Sequence, residues 1–133
     1  MHIIFYQLTD NGWDRGNHFI EDASLTRDTY GNRFVRVAFN GRSAFIGFPY
    51  ADVGGTNSGA VFIYERNSFG VWEKRDEPLA PQDEDSGNVQ LFGYSVDLDG
   101  DLACVISDGA ENIQHSKVYV FQNDGDKWVQ IRR

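Results

Sequence analysis

Apolar and polar residues alternate at a spacing of two along most of the chain, and glycine, asparagine and aspartate break the alternation at regular intervals. In FGYSVDLDGDLACVISDG, from Phe92 to Gly109, Val96 and Leu98 alternate with Ser95 and Asp97, and Ala103 and Val105 resume the pattern after Asp99-Gly100. Such a dipeptide predicts a two-residue hairpin turn of type I′, with positive φ at both central residues. In that reading Asp99 is selected for its tolerance of positive φ, and Asn40-Gly41 forms the matching turn upstream. Glycine or proline interrupts every window long enough for a helix, so the pattern predicts an all-β chain.

The alternation repeats on a longer scale. Trp13, Trp72 and Trp128 lie 59 and 56 residues apart, and each follows an apolar strand: IIFYQL, VFIYER and VYVFQN. Phe5, Tyr64 and Phe121 take matching places at spacings of 59 and 57. RFVRVAFNGRSAFIGFP, from Arg33, aligns without a gap to FGYSVDLDGDLACVISD, from Phe92, placing Val37 on Val96, Gly41 on Gly100 and Ala44 on Ala103. The tryptophan hairpins turn at Thr9–Gly12, Asn67–Gly70 and Asn123–Asp126. With the glycine-turn hairpin numbered as strands 1 and 2 and the tryptophan hairpin as 3 and 4, the chain reads 3-4, 1-2-3-4, 1-2-3-4. Four antiparallel strands per repeat of 56–59 residues is the organisation of a β-propeller blade. The expected division of a single unit spanning 1–133 is a half blade with its loop over 1–32, a blade over 33–90 and a blade over 91–133.

Composition narrows the function classes. At 133 residues, 41% hydrophobic and 14% aromatic, the chain is long and apolar enough to build a core. Its formal charge of -8 argues against nucleic acid and against anionic membrane surfaces, both of which require a basic footprint. No apolar run reaches 18 residues, so no membrane insertion is expected, and the N-terminal MHIIFYQL lacks the features of a signal peptide. The single cysteine, Cys104, lies in an apolar run and reads as a buried, inert thiol.

Candidate chemistry is sparse. His2, His18 and His115 read as scattered surface histidines rather than a metal set. Gly54-Gly55 lacks the GK[ST] of a phosphate loop, and Asp83–Gly87 reads as a solvated acidic loop. No nucleophile, base or metalloprotease motif is present, so the expectation is a protein that is not an enzyme. The three tryptophans fall at one blade position and read as packing residues, although an exposed Trp could stack on a sugar ring.

FGYSVDLDGD, the apolar strand after it, and KVYVFQNDGDKW together resemble the FG-GAP repeat of integrin α-subunit propellers. RFVRVAFNG lacks the glycine after phenylalanine, while FIGFPYADVGGTNSGAVFIYER keeps the later part of the repeat. The resemblance implies a propeller serving as a non-catalytic interaction or assembly platform at a cell or particle surface. It also implies contacts through the 2–3 and 4–1 loops, which are Pro49–Gly59, Asp108–Ser116, Asp14–Asn32 and Glu77–Gln90. Tyr50, Asp52, Asn57, Glu111, Asn112 and His115 are the partner-binding candidates there. The family often carries calcium between strands 1 and 2. Asp97, Asp99 and Asp101 alternate as such ligands would, but the turn is short and the first copy has Ala38, Asn40 and Arg42 instead, so a calcium-free hairpin and no cofactor are expected. Two and a half blades leave faces uncovered, so the expected partners are other blades, copies of the chain, or a protein or glycan ligand. A carbohydrate-binding propeller and a filament-forming subunit are the alternative functions.

Overall fold

The computed structural model of the chain describes residues 1–21, 34–81, 90–109 and 116–132. Among them there is no helix, and ten strands make three antiparallel sheets. β1 (His2–Thr9) and β2 (Gly12–Ile20) form a hairpin. β3 (Arg36–Phe39), β4 (Ser43–Phe48), β5 (Ala60–Arg66) and β6 (Trp72–Lys74) form the second sheet in that order. β7 (Phe92–Asp99), β8 (Leu102–Ser107), β9 (Lys117–Asn123) and β10 (Trp128–Arg132) repeat the arrangement in the third. The grouping of two, four and four strands is the one expected from the sequence. One boundary differs: Asp14 does not open a loop, because β2 stays paired with β1 as far as His2 and Ile20.

The sheets stack in chain order, and period-two alternation divides the apolar residues between two layers. Ala44, Ile46, Phe48, Ala60, Phe62, Tyr64 and Trp72 face the hairpin, where Met1, Ile3, Phe5 and Phe19 meet them. Ala38, Phe45, Val61 and Ile63 face the third sheet, which supplies Phe92, Ala103, Val105, Tyr119, Phe121 and Trp128. Every residue of β4 is therefore buried, as a strand covered on both faces requires. The second and third sheets approach backbone to backbone at Gly47 and Gly93. A Cβ on Gly47 would lie 2.3 Å from the Gly93 carbonyl oxygen, so only glycine permits that spacing. Gly59 makes a parallel bridge to Phe92 across the same seam.

The glycine turns fall one residue later than predicted. Asn40 N–H donates to the Ser43 carbonyl at 3.1 Å, and Asp99 pairs with Leu102, so the central residues are Gly41-Arg42 and Gly100-Asp101. Gly41 and Gly100 have φ of 86° and 58°, whereas Asp99, Arg42 and Asp101 keep negative φ. A turn with glycine at its first central place needs positive φ there alone, the type II′ pattern, and Asp99 is not held for left-handed geometry.

The first hairpin also departs from its expected alignment. Leu8 pairs with Trp13, and Asn123 pairs with Trp128. A constant offset of 115 thus carries Ile4, Tyr6, Leu8 and Trp13 onto Tyr119, Phe121, Asn123 and Trp128. Tyr6, not Phe5, is the counterpart of Phe121. The tight turn at Thr9–Gly12 fixes this register, which places Phe5 and Trp13 on opposite faces of the hairpin.

Candidate interaction surfaces

The loop from Pro49 to Gly59 is folded onto itself and onto the third sheet. Asp52 Oδ1 accepts the Asn57 N–H at 2.7 Å, Ser58 Oγ accepts the Gly54 N–H at 2.8 Å, and the Asn57 carbonyl accepts the Leu91 N–H at 3.0 Å. Asn57 has a φ of 52°, which asparagine tolerates better than most residues. Asp52 and Asn57 thereby hold a connection between sheets. Tyr50 is half-buried, with its ring edge-on to Phe34 at 6.0 Å. Phe34 stacks on Tyr94 at 5.1 Å and carries the Arg36 guanidinium 3.8 Å above its centroid. The loop candidate is thus one ring of an aromatic group beside the seam. Glu111, Asn112 and His115 lie outside the described residues.

Asp97, Asp99 and Asp101 do not converge on one point. Asp97 and Asp99 alternate along the outward face of β7, while Asp101 lies in the turn and its Oδ1 accepts from Arg42 at 2.8 Å. Among the described residues no group of three or more His, Cys, Asp or Glu side chains could hold a metal. Arg42 and Asp101 are repeat-equivalent positions, so one turn's base meets the next turn's acid across the seam. Asn40 reinforces the contact by donating to the Gly100 carbonyl at 3.4 Å.

The hairpin turns a mixed face away from the stack. The pairs His2–Ile20, Ile4–His18, Tyr6–Arg15 and Leu8–Trp13 all point outward. Tyr6 is 58% exposed and Trp13 69%, whereas their counterparts Phe121 and Trp128 are 0% and 6% exposed. Packing is therefore the structural role of Trp72 and Trp128, and Trp13 is the exception. His2 and His18, expected to be scattered, stack with ring centroids 4.9 Å apart, because the hairpin register brings the strand ends together. Arg15 can only donate, so it donates to His18 Nδ1 at 2.9 Å, and His18 Nε2–H donates to His2 Nδ1 at 2.7 Å. Partial desolvation first, then the charges of Arg15 and His2, hold the His18 imidazole below its ordinary pKa.

The third sheet presents the opposite end of the stack. Leu102, Cys104 and Ile106 of β8 share its outward face with Val118 and Val120 of β9, beside Asp97 and Asp99. Cys104 is exposed, contrary to expectation. Its neighbours Ala103 and Val105 point into the stack, and the period of two sends Cys104 the other way.

Two polar arrangements were not legible beforehand. Glu21, 8% exposed, takes Tyr64 Oη on Oε1 at 2.5 Å and Lys74 Nζ on Oε2 at 2.8 Å, tying the end of the hairpin to the second sheet. Burial and the neighbouring Glu21 carboxylate push the Tyr64 phenol pKa far upward. The second lies beside a cleft of about 370 Å³ at the seam of the second and third sheets, bordered by Arg75, Asp76, Glu77, Lys127 and Trp128. There Glu65 accepts from Trp128 Nε1 at 2.9 Å and from Arg75 Nη2 at 2.6 Å. Both pairings join residues far apart in the chain and depend on how the sheets stack. Among the described residues no helix is long and apolar enough to cross a membrane. No protein-family model matches the chain, and no curated protein matches its sequence.

Proposed function

We propose that the four-stranded sheets are propeller-type blades of FG-GAP character and that the chain is a non-catalytic interaction or assembly module, part of a larger or oligomeric propeller exposed at a cell or particle surface. One observation carries the reading: the stack ends on two uncovered sheet faces that expose large apolar side chains, Tyr6, Leu8 and Trp13 on one and Leu102 and Val118 on the other, all of them at least 44% exposed. Large apolar side chains gathered on an uncovered sheet face mark a place where another protein surface binds. The resemblance of Phe92–Asp101 and Lys117–Trp128 to the repeat supplies the blade identity.

The test is light scattering after size exclusion, combined with the fluorescence of an apolar dye. A mass that is a multiple of the 15.1 kDa chain, or a monomer that binds the dye, is expected. A monomer that leaves the dye dark would sink the reading, since neither face would then be available to a partner. A glycan-binding reading draws on Trp13, whose exposed indole is suited to stacking on a sugar ring. Silence of the wild-type chain on a broad glycan array would remove it.

A further inference from the structure

The inner seam between the second and third sheets provides a template for what covers the two ends. At that seam the third sheet's backward face, with Tyr119, Phe121 and Trp128, covers the second sheet's forward face, with Ala38, Phe45, Val61 and Ile63. The Trp128 ring meets Phe45 edge-on at 4.9 Å, and its indole N–H donates to Glu65 at 2.9 Å. Each of these surfaces has a counterpart exposed elsewhere in the chain. The offset of 115 maps Tyr119, Phe121 and Trp128 onto Ile4, Tyr6 and Trp13, on the outward face of the hairpin. On the other side, an offset of 59 maps Ala38 and Phe45 onto Asp97 and Cys104, and one of 57 maps Val61, Ile63 and Glu65 onto Val118, Val120 and Gln122. All five lie on the outward face of the third sheet.

From this equivalence we infer that the hairpin's outward face docks on the outward face of the third sheet in a second copy of the chain, head to tail, repeating the inner seam. The partner copy's Cys104 takes the place of Phe45 beneath Trp13, and its Gln122 replaces Glu65 as acceptor for the indole N–H. Charge favours the match: the outward register positions of the hairpin carry the cation Arg15 and no acid, and the receiving face carries Asp97 and Asp99. The two faces differ, so the contact is heterologous. Repetition closes a ring where the rotation per chain divides a full turn and builds an open filament where it does not. The inference rests on the module reading above and names its partner.

Two variants and their mixture test it. Trp13→Glu blocks the head and Val118→Glu blocks the tail; both positions are exposed, and circular dichroism melts check that each variant folds. Wild type is expected to assemble into rings or filaments, and each variant alone to run as a monomer by light scattering. An equimolar mixture is expected to form a dimer and stop there, because one intact head meets one intact tail. Maleimide labelling of Cys104 gives an independent readout: slow in the wild-type assembly and at least tenfold faster in either variant. A wild-type monomer overturns the inference, as does assembly that survives either single substitution, or a mixture that remains monomeric. A dye-binding wild-type monomer would overturn self-docking yet leave the module reading intact, with the covering blades assigned to another polypeptide segment.

Discussion

Trp72 and Trp13 occupy opposite environments. The Trp72 ring stacks on Phe5 with centroids 4.1 Å apart and an interplanar angle of 10°, and it also meets Phe39 at 5.7 Å. Trp72→Ala would leave a cavity between hairpin and second sheet, and the expected cost is about 3–5 kcal/mol. Trp13→Ala removes a ring that touches solvent in the single chain, and the expected change there is within about 0.5 kcal/mol. Urea unfolding of dilute protein checks both, and equal losses would contradict the assigned packing. A second residue-scale expectation concerns His18, whose folded pKa lies below its ordinary 6.5. The unfolded chain then takes the proton first as pH falls. The contribution to stability is complete above pH 6.5 and is lost progressively as pH drops from 6.5 toward the folded value. An NMR titration should place the His18 midpoint below 6.5, and Arg15→Ala should raise it by removing one cause of the depression. A midpoint at or above 6.5 in the wild type would contradict the Arg15–His18–His2 geometry.

At the scale of elements, the seam between the second and third sheets needs glycine at its closest approach as well as the apolar core that Phe45, Val61, Phe92 and Phe121 build there. Gly47→Ala places a methyl against the Gly93 carbonyl, and the sheets must separate or shift to accept it. The expected cost is about 1–3 kcal/mol, the usual range for an added methylene with no room, measured as a lower urea midpoint. An unchanged midpoint would mean that the seam is looser than its backbone spacing implies. The same seam shows how much the sequence made legible. Strand identity and grouping were readable from the period of two, the Asn-Gly and Asp-Gly punctuation and the spacing of 59, because these are local signals. Turn class was not, since Gly41 and Gly100 enter as the first rather than the second central residue, a one-residue difference in pairing. The face of Trp13 was not either, because the register of the Thr9–Gly12 turn decides it and spacing along the chain is blind to parity. Cys104 reads as buried because its run is apolar, yet only one side of β8 has a neighbour in the stack, so Cys104 emerges on the other. The Arg42–Asp101 and Glu21–Lys74 pairs join residues far apart in the chain, and only the stacking brings them together.

At the scale of the whole molecule, a stack of sheets that touch only their neighbours distributes its stability by position, much as repeat proteins do. The second sheet is covered from both sides, while the hairpin and the third sheet are each covered from one. Amides of β4 and β5 should therefore exchange only through global unfolding, and those of β1 and β2 through a smaller opening that releases the hairpin alone. The Glu21 carboxylate adds to the cost of that opening, because it joins the residue after β2 to Tyr64 and Lys74. Glu21→Ala would leave the Tyr64 hydroxyl buried without its acceptor and remove the partner of Lys74, a loss of about 1–3 kcal/mol. Hydrogen exchange followed by mass spectrometry should record that loss as faster exchange in β1 and β2, with β4 and β5 slowed or quickened only in step with global stability. Uniform acceleration across all three sheets would instead mean that the hairpin and the second sheet open as one unit, and that the layered packing does not divide the molecule into separately opening parts. If copies dock through the hairpin's outward face, the protection of β1 and β2 must also rise with protein concentration while that of β4 stays constant. This dependence separates a covered hairpin from one that is merely stiff.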